Sequence, residues 1–182
     1  GLDPSGGAGI LADIKTFEQH KVSGFAISTA NTIQTENQFY EIQWSDLSFV
    51  IRSIETLFLN YKIRVVKIGI VSSLHDLNRI ISTIKQLSPS TKIVWDPVLK
   101  STTKFEFMTV KDHLELNQIL SKIDLITPNY NEIKILFPEF ILKENQFLTN
   151  VLLKGGHNQK AVGTDRLFLK NEVLELLPSD KK

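Results

Sequence analysis

Cysteine is absent from the chain, which excludes a disulfide, a thiolate metal site and a cysteine nucleophile within its 182 residues. That absence fits a reducing compartment. Blocks of Lys and Arg are missing too, the final Asp180-Lys181-Lys182 being too short to count. With a formal net charge of +1 there is no electrostatic case for nucleic acid or a membrane surface as partner. No apolar run approaches the ~18 residues of a membrane span, and no signal-peptide pattern opens the sequence. A soluble, cytoplasmic protein is the expectation. Two phosphate-binding signatures are also lacking. The opening Gly6-Gly7-Ala8-Gly9 has the wrong spacing for a dinucleotide fingerprint and follows no strand, and no G-x-x-x-x-G-K-[ST] loop occurs.

What is present is an ordinary globular balance, 42% hydrophobic and 23% charged, which suffices for one domain with a sizeable core. Short apolar or β-branched runs at Phe25–Thr29, Arg64–Ile70, Lys92–Trp95, Asp124–Thr127 and Val151–Lys154 read as strands. Helical spacing fills the intervals. Ile10, Ile14 and Phe17 share a face of the first helix. Leu47 to Phe58 line the second, with Ser45 as its N-cap. Leu74 to Leu87 line the third, Leu114 to Ile123 the fourth and Ile133 to Phe137 a short fifth. Near-continuous apolar strands alternating with helices predict parallel βαβ units, a mostly parallel sheet with helices on both faces. Two apolar runs around Lys170-Asn171-Glu172 predict an antiparallel hairpin at one end.

In such sheets ligands bind beyond the carboxyl ends of the strands, and that is where the informative residues fall. The glycine-rich opening reads equally as a turn and as a loop offering backbone N–H groups to a polar ligand. Asp13, one turn into the following helix, suits either a ligand or the helix dipole. Asp96-Pro97-Val98 follows a strand, as a strand-terminating turn or as part of a site. Asn129 and Glu132 are three apart and share a face at a helix start. They could hold hydrated magnesium, which needs few protein ligands, or form a capping box, and both can hold at once. Lys154 stands at a strand end before Gly155 and Gly156, glycines that would let a phosphate approach the backbone; the alternative is a solvated surface lysine. His157 reads as a loop residue, and His20, His75 and His113 have no metal spacing.

Taken in order, "DPSGGAGILADIKTF", "KIGIVSS", "DPVLKS", "TPNYNE" and "LLKGGH" resemble the hydroxymethylpyrimidine/phosphomethylpyrimidine kinases of thiamine biosynthesis, in the ribokinase-like superfamily. The resemblance runs over essentially the whole chain. It implies a three-layer αβα sandwich with a mostly parallel central sheet, and residues 1–182 forming one ribokinase-like kinase domain. It implies transfer of the γ-phosphoryl group of ATP, with Mg2+, to 4-amino-5-hydroxymethyl-2-methylpyrimidine and then to its monophosphate.

Members of the family begin with a strand feeding the "DPSGGAGI" loop. They carry a Gly-rich "GTGC" or "GSGC" segment after the hairpin, which supplies the anion hole and the main catalytic residue. The first strand and the C-terminal third are thus expected to be missing here, and the fragment alone is expected to be inactive. "DPVLKSTTKF" is also shorter than the family's usual form, and the crossover between Phe137 and Val151 is short.

Carried over residue by residue, the resemblance makes Asp13 and Gln34 the groups that hydrogen-bond the aminopyrimidine. Gly7 lies in the loop against the substrate and Ile70 packs on the ring. Asp96 and Glu132 match positions around magnesium, held through water. Asn129 and Lys154 match positions on the nucleotide phosphates, with Lys154 also neutralising the transferring group. The partner implied is a small-molecule pyrimidine, with a homodimer as the assembly. Two alternatives stay open: a pyridoxal/pyridoxine kinase of the same superfamily, and a non-catalytic pyrimidine-binding module. Gln34 and the "DPSGGAGI" opening favour the pyrimidine kinase.

Overall fold

A computed structural model describes residues 1–35, 37–101, 105–138, 147–157 and 163–178. Its contacts fall into two compact units. One comprises Gly1–Arg64, Gly69–Thr91 and Leu99–Thr109; the other comprises Val65–Ile68, Lys92–Val98 and Val110–Lys182.

The second unit is built on a six-stranded sheet. Its strands are β3 (Val65–Ile68), β4 (Lys92–Trp95), β5 (Leu125–Ile126), β6 (Asn150–Leu153), β7 (Asp165–Leu169) and β8 (Glu172–Leu176), which lie in that order. β3 to β6 are parallel neighbours, whereas β6, β7 and β8 pair antiparallel, β7 and β8 through the expected turn at Lys170-Asn171. This is the mostly parallel α/β sheet that the alternating apolar runs predict. Ile93, Trp95, Ile126, Val151, Leu153 and Phe168 are buried along the strands, and β8, at the sheet edge, is exposed throughout. Phe168 meets Phe147 edge-on at 5.5 Å between ring centroids, a geometry aromatic quadrupoles favour. Among the described residues two α-helices complete the unit, α4 (His113–Leu120) and α5 (Tyr130–Leu136). Asp112 caps α4 by accepting from the N–H groups of Leu114 and Glu115, both at 2.9 Å.

The first unit contains α1 (Gly9–Gln19), the hairpin β1 (Ala30–Gln34) and β2 (Phe39–Trp44), α2 (Leu47–Asn60) and α3 (Leu74–Leu87). α3 buries Leu74, Leu77, Ile80, Ile81 and Ile84, one helical face at the spacing the sequence displays. α1 buries no residue fully, so its Ile10, Ile14 and Phe17 face is only half-covered.

Three expectations need correction. Phe25–Thr29 forms no strand; the ladder starts at Ala30 and runs antiparallel to β2. Within that segment the Ser28 hydroxyl donates to the Ala30 carbonyl, and the Thr29 hydroxyl to the Ile70 carbonyl at 2.7 Å. α2 is capped by Asp46, which accepts from the Phe49 N–H at 2.9 Å, and not by Ser45, whose hydroxyl donates to the Ser28 carbonyl. The fourth helix ends at Leu120, short of Ile123. The expected short crossover between Phe137 and Val151, like part of "DPVLKSTTKF", lies outside the described residues at 139–146 and 102–104. Among the described residues no helix is long and apolar enough to cross a membrane.

Candidate functional site

In the second unit, three parallel strands deliver their chains to one rim. Past β4 the Asp96 N–H donates to the Ile68 carbonyl at 2.8 Å; past β5 the Thr127 N–H donates to the Trp95 carbonyl at 3.0 Å. Past β6 the Lys154 N–H donates to the Pro128 carbonyl at 2.9 Å. The ladder therefore extends one residue beyond each strand, and Asp96, Thr127 and Lys154 come together by backbone geometry. Asp96 Oδ1 accepts from Lys154 Nζ at 2.8 Å and from the Thr127 hydroxyl at 3.1 Å, while Lys67 Nζ stands 4.0 Å from Oδ2. Two ammonium groups thus flank one carboxylate, each on its own oxygen, which leaves these three groups with a net positive charge. All three side chains remain partly exposed, so the pairing is within reach of a soluble ligand. An excess of positive charge at strand ends suits an anion such as a phosphate.

Asn129 and Glu132 adjoin this cluster, Asn129 bridging Lys154 in parallel register. Asn129 Oδ1 accepts from the N–H groups of Asn131 and Glu132 at 2.9 Å, and Glu132 Oε2 accepts from the Asn129 N–H at 2.7 Å. The capping box is therefore complete, and Glu132 is only 5% exposed. Among the described residues no group of three or more His, Cys, Asp or Glu side chains could hold a metal ion. The carboxylates of Asp96 and Glu132 are hard oxygen donors, and so few of them fit a cation that keeps most of its waters. Asn129→Ala is expected to lower stability by about 1 kcal/mol, seen as roughly 2–4 °C in a thermal melt. Glu132→Gln, which can still accept from the Asn129 N–H, is expected to melt close to the parent protein.

The two glycines after Lys154 have different jobs. A Cβ on Gly155 would overlap the Thr164 carbonyl oxygen, and the Gly155 N–H already donates to Asp165 Oδ1 at 2.8 Å. Gly155 therefore serves the packing of its loop against the start of β7. Gly156 alone has open space where a side chain would stand.

In the first unit, the glycine-rich opening is tied down by a residue that sequence reasoning missed. Asp3, 7% exposed, accepts from the Ser5 N–H at 2.9 Å, the Ser5 hydroxyl at 2.8 Å and the Ala8 N–H at 3.1 Å. Burial pushes the Asp3 pKa up, but the Ser5 hydroxyl and N–H, Gln34 and Ala8 together outweigh burial and hold it below the usual value. Gly6 and Gly9 have φ of 72° and 61°, the left-handed region in which glycine carries no Cβ penalty.

The four residues expected at the substrate end all lie in this unit. Gly7 is exposed in the loop, its N–H reaching the Ser5 hydroxyl at 3.3 Å. Ile70 lies against the loop's first residue, since a Cβ on Gly1 would be 2.5 Å from Ile70 Cδ1. Gln34 ends β1, and Asp13 is half-buried in the second turn of α1. Lys67 and Thr127 also went unread, although each is the first residue of a quoted motif. The signal for Asp3 was its place ahead of Pro4-Ser5, where an Asp side chain folds back on the backbone two residues on.

Comparison with known proteins bears on both units. The hydroxymethylpyrimidine/phosphomethylpyrimidine kinase of Aquifex aeolicus is 32% identical over 92% of this chain, which spans 70% of that enzyme. A phosphomethylpyrimidine kinase of Clostridium difficile, a crystal structure, superposes with a TM-score of 0.81 at 28% identity, covering 98% of this chain and 81% of that one. The pyridoxal kinase of Bacillus subtilis, at 24% identity, a TM-score of 0.75 and coverage of 100% and 73%, shares the fold. A sequence model of phosphomethylpyrimidine kinase matches residues 3–181, from the loop-tying Asp3 to beyond the terminal hairpin. The chain accordingly belongs to the phosphomethylpyrimidine kinase family.

Proposed function

We propose that the protein containing this chain transfers the γ-phosphoryl group of ATP to 4-amino-5-hydroxymethyl-2-methylpyrimidine and then to its monophosphate, as one ribokinase-like kinase domain. The observation that carries this is the strand-end cluster, in which Lys154 and Lys67 flank Asp96 beside the Asn129–Glu132 box. Phosphoryl transfer requires positioning and charge stabilisation far more than covalent chemistry from the protein, and these residue types supply both. Lys154 neutralises the transferring phosphoryl group, and Asn129 adjoins the nucleotide phosphates. Asp96 and Glu132 would hold Mg2+ through water, and the ion when bound would neutralise phosphate charge. Asp13 and Gln34 hydrogen-bond the aminopyrimidine, Gly7 lies against it and Ile70 packs on its ring. A homodimer in the cytoplasm completes the proposal.

The test supplies the whole protein with ATP, Mg2+ and either the aminopyrimidine or pyridoxine, and follows ADP release. Release that depends on the pyrimidine, with the higher kcat/KM for it, is expected. Release with pyridoxine alone would replace this function by the vitamin kinase of the shared fold.

A further inference from the structure

Lys154 stands where regular pairing between β6 and β7 stops. The last ladder pair is Leu153 with Arg166, and one step further along the two strands come Lys154 and Asp165. Two glycines follow the lysine, and glycine restrains its own backbone less than any other residue. A lysine leading into Gly155-Gly156 therefore has no local reason to keep one direction. The restraint comes from the neighbouring strand. Asp165 Oδ1, at the first residue of β7, accepts from the Gly155 N–H at 2.8 Å. That N–H belongs to the planar peptide group joining Lys154 to Gly155, so holding it holds ψ of Lys154. The preceding peptide group is held as well, because the Lys154 N–H donates to the Pro128 carbonyl at 2.9 Å. Both peptide groups that flank Lys154 are thus anchored, one past β5 and one on β7. The Gly155 carbonyl accepts from the Gly163 N–H at 3.4 Å, a longer and weaker tie.

We propose that Asp165 is a positioning residue for phosphoryl transfer, holding the Lys154–Gly155 peptide group so that the Lys154 ammonium meets the transferring phosphate. This rests on the assignment of Lys154 to that phosphate. The ion pair with Asp96 does not suffice for the task. An ammonium paired at the tip of a flexible four-carbon stem leaves the backbone beneath it free to shift. Without the Asp165 acceptor the end of β6 is held on the β5 side alone. The N–H of buried Gly155 is then unpaired, which favours fraying of the strand end with Lys154 on it. Misplacing a charge-stabilising group by about 1 Å can cost on the order of 100-fold in rate. Asp165 acts without touching either substrate.

The experiment is a double-mutant cycle on the whole protein with ATP, Mg2+ and the aminopyrimidine. It compares Asp165→Ala, Lys154→Ala and the two combined, with Asp165→Asn as the conservative variant and thermal melts alongside. Asp165→Ala is expected to lower kcat by about 10–100-fold and to leave the KM for the pyrimidine unchanged. The asparagine side-chain carbonyl still accepts from the Gly155 N–H, so Asp165→Asn should stay within a few-fold of the parent protein. In the Lys154→Ala background, losing Asp165 should cost no more than about 2–3-fold. A residue that places an ammonium has nothing to place once the ammonium is gone. Should Asp165→Ala not fold, Asp165→Glu replaces it in the cycle, since one more methylene displaces the acceptor, and the same loss confined to the Lys154 background is expected. Losses that multiply in the double variant overturn the inference, as a general loosening of the fold would produce them. An unchanged kcat in Asp165→Ala, or an Asp165→Asn as slow as Asp165→Ala, overturns it too. If Lys154→Ala keeps the full rate, or the parent protein releases no ADP, the reading of Lys154 or of the kinase fails first, and this inference with it.

Discussion

Lys154→Ala in the whole protein is expected to lower kcat and kcat/KM together, by about 10²–10³-fold, the usual loss when one aimed donor is removed from developing charge. Equal loss in both constants marks an interaction made mainly in the transition state. The ammonium is already aimed: Asp96 Oδ1 holds it at 2.8 Å, and its backbone is anchored through the bond from the Lys154 N–H to the Pro128 carbonyl. Folding should suffer little, because a partly exposed ion pair contributes at most about 1 kcal/mol. A small change in melting temperature beside a large loss of rate is thus the expected pattern. Steady-state rates across a series of ATP concentrations, with melts of the same preparations, check it. An unchanged kcat would reduce Lys154 to a surface charge paired with Asp96.

Gly155→Ala is expected to be among the most damaging single substitutions for stability. The added Cβ would overlap the Thr164 carbonyl oxygen and lie 2.5 Å from its carbonyl carbon and 2.9 Å from its nitrogen. All three are backbone atoms, so no rotamer change relieves the clash. Relief requires the segment before β7 to move, which strains the bond from the Gly155 N–H to Asp165. Forced overpacking typically costs about 1–3 kcal/mol, occasionally more, and the lost hydrogen bond adds to it. Gly156→Ala is the control, since nothing lies within 4 Å of its would-be Cβ. Urea unfolding of the pair should separate them by at least about 2 kcal/mol. Equal midpoints would mean that the loop yields without cost.

Much of the fold could be read because burial leaves a periodic trace. α3 runs over Leu74–Leu87 and β4 over Lys92–Trp95, the bounds suggested by helical spacing and by a compact β-branched run. The β7–β8 hairpin could be read as well, from two apolar runs around a polar turn. The β1–β2 hairpin could not, since its strands alternate polar and apolar residues and Ile33 and Tyr40 are exposed. A search for continuous apolar runs settles instead on Phe25–Thr29, whose hydroxyls bond elsewhere.

The same division holds at the site. Asp96, Asn129, Glu132 and Lys154 could be read because parallel strands deliver their ends to one rim, and in the structure they do meet there. Asn129 and Glu132 carried two readings, and the capping one is present in full. Lys67 acts through a partner distant in sequence: Asp96 lies 29 residues from it, a separation read from the numbering, and no local pattern announces such a pair. Gly155 escaped for another reason: whether a glycine admits a ligand or a neighbouring backbone depends on what stands opposite, here Thr164.

Calorimetric titration of Gln34→Ala and Lys154→Ala, each with the aminopyrimidine and with a non-hydrolysable ATP analogue, is the most direct test of the proposed division between heterocycle and phosphate ends. Gln34→Ala should weaken the pyrimidine by about 10–100-fold, the loss for one buried polar partner, and leave the nucleotide nearly unchanged. Lys154→Ala should leave both affinities nearly unchanged, its loss appearing in kcat because its interaction is made mainly in the transition state. A loss of equal size for both ligands in Gln34→Ala, or a weakened pyrimidine in Lys154→Ala, would contradict that division.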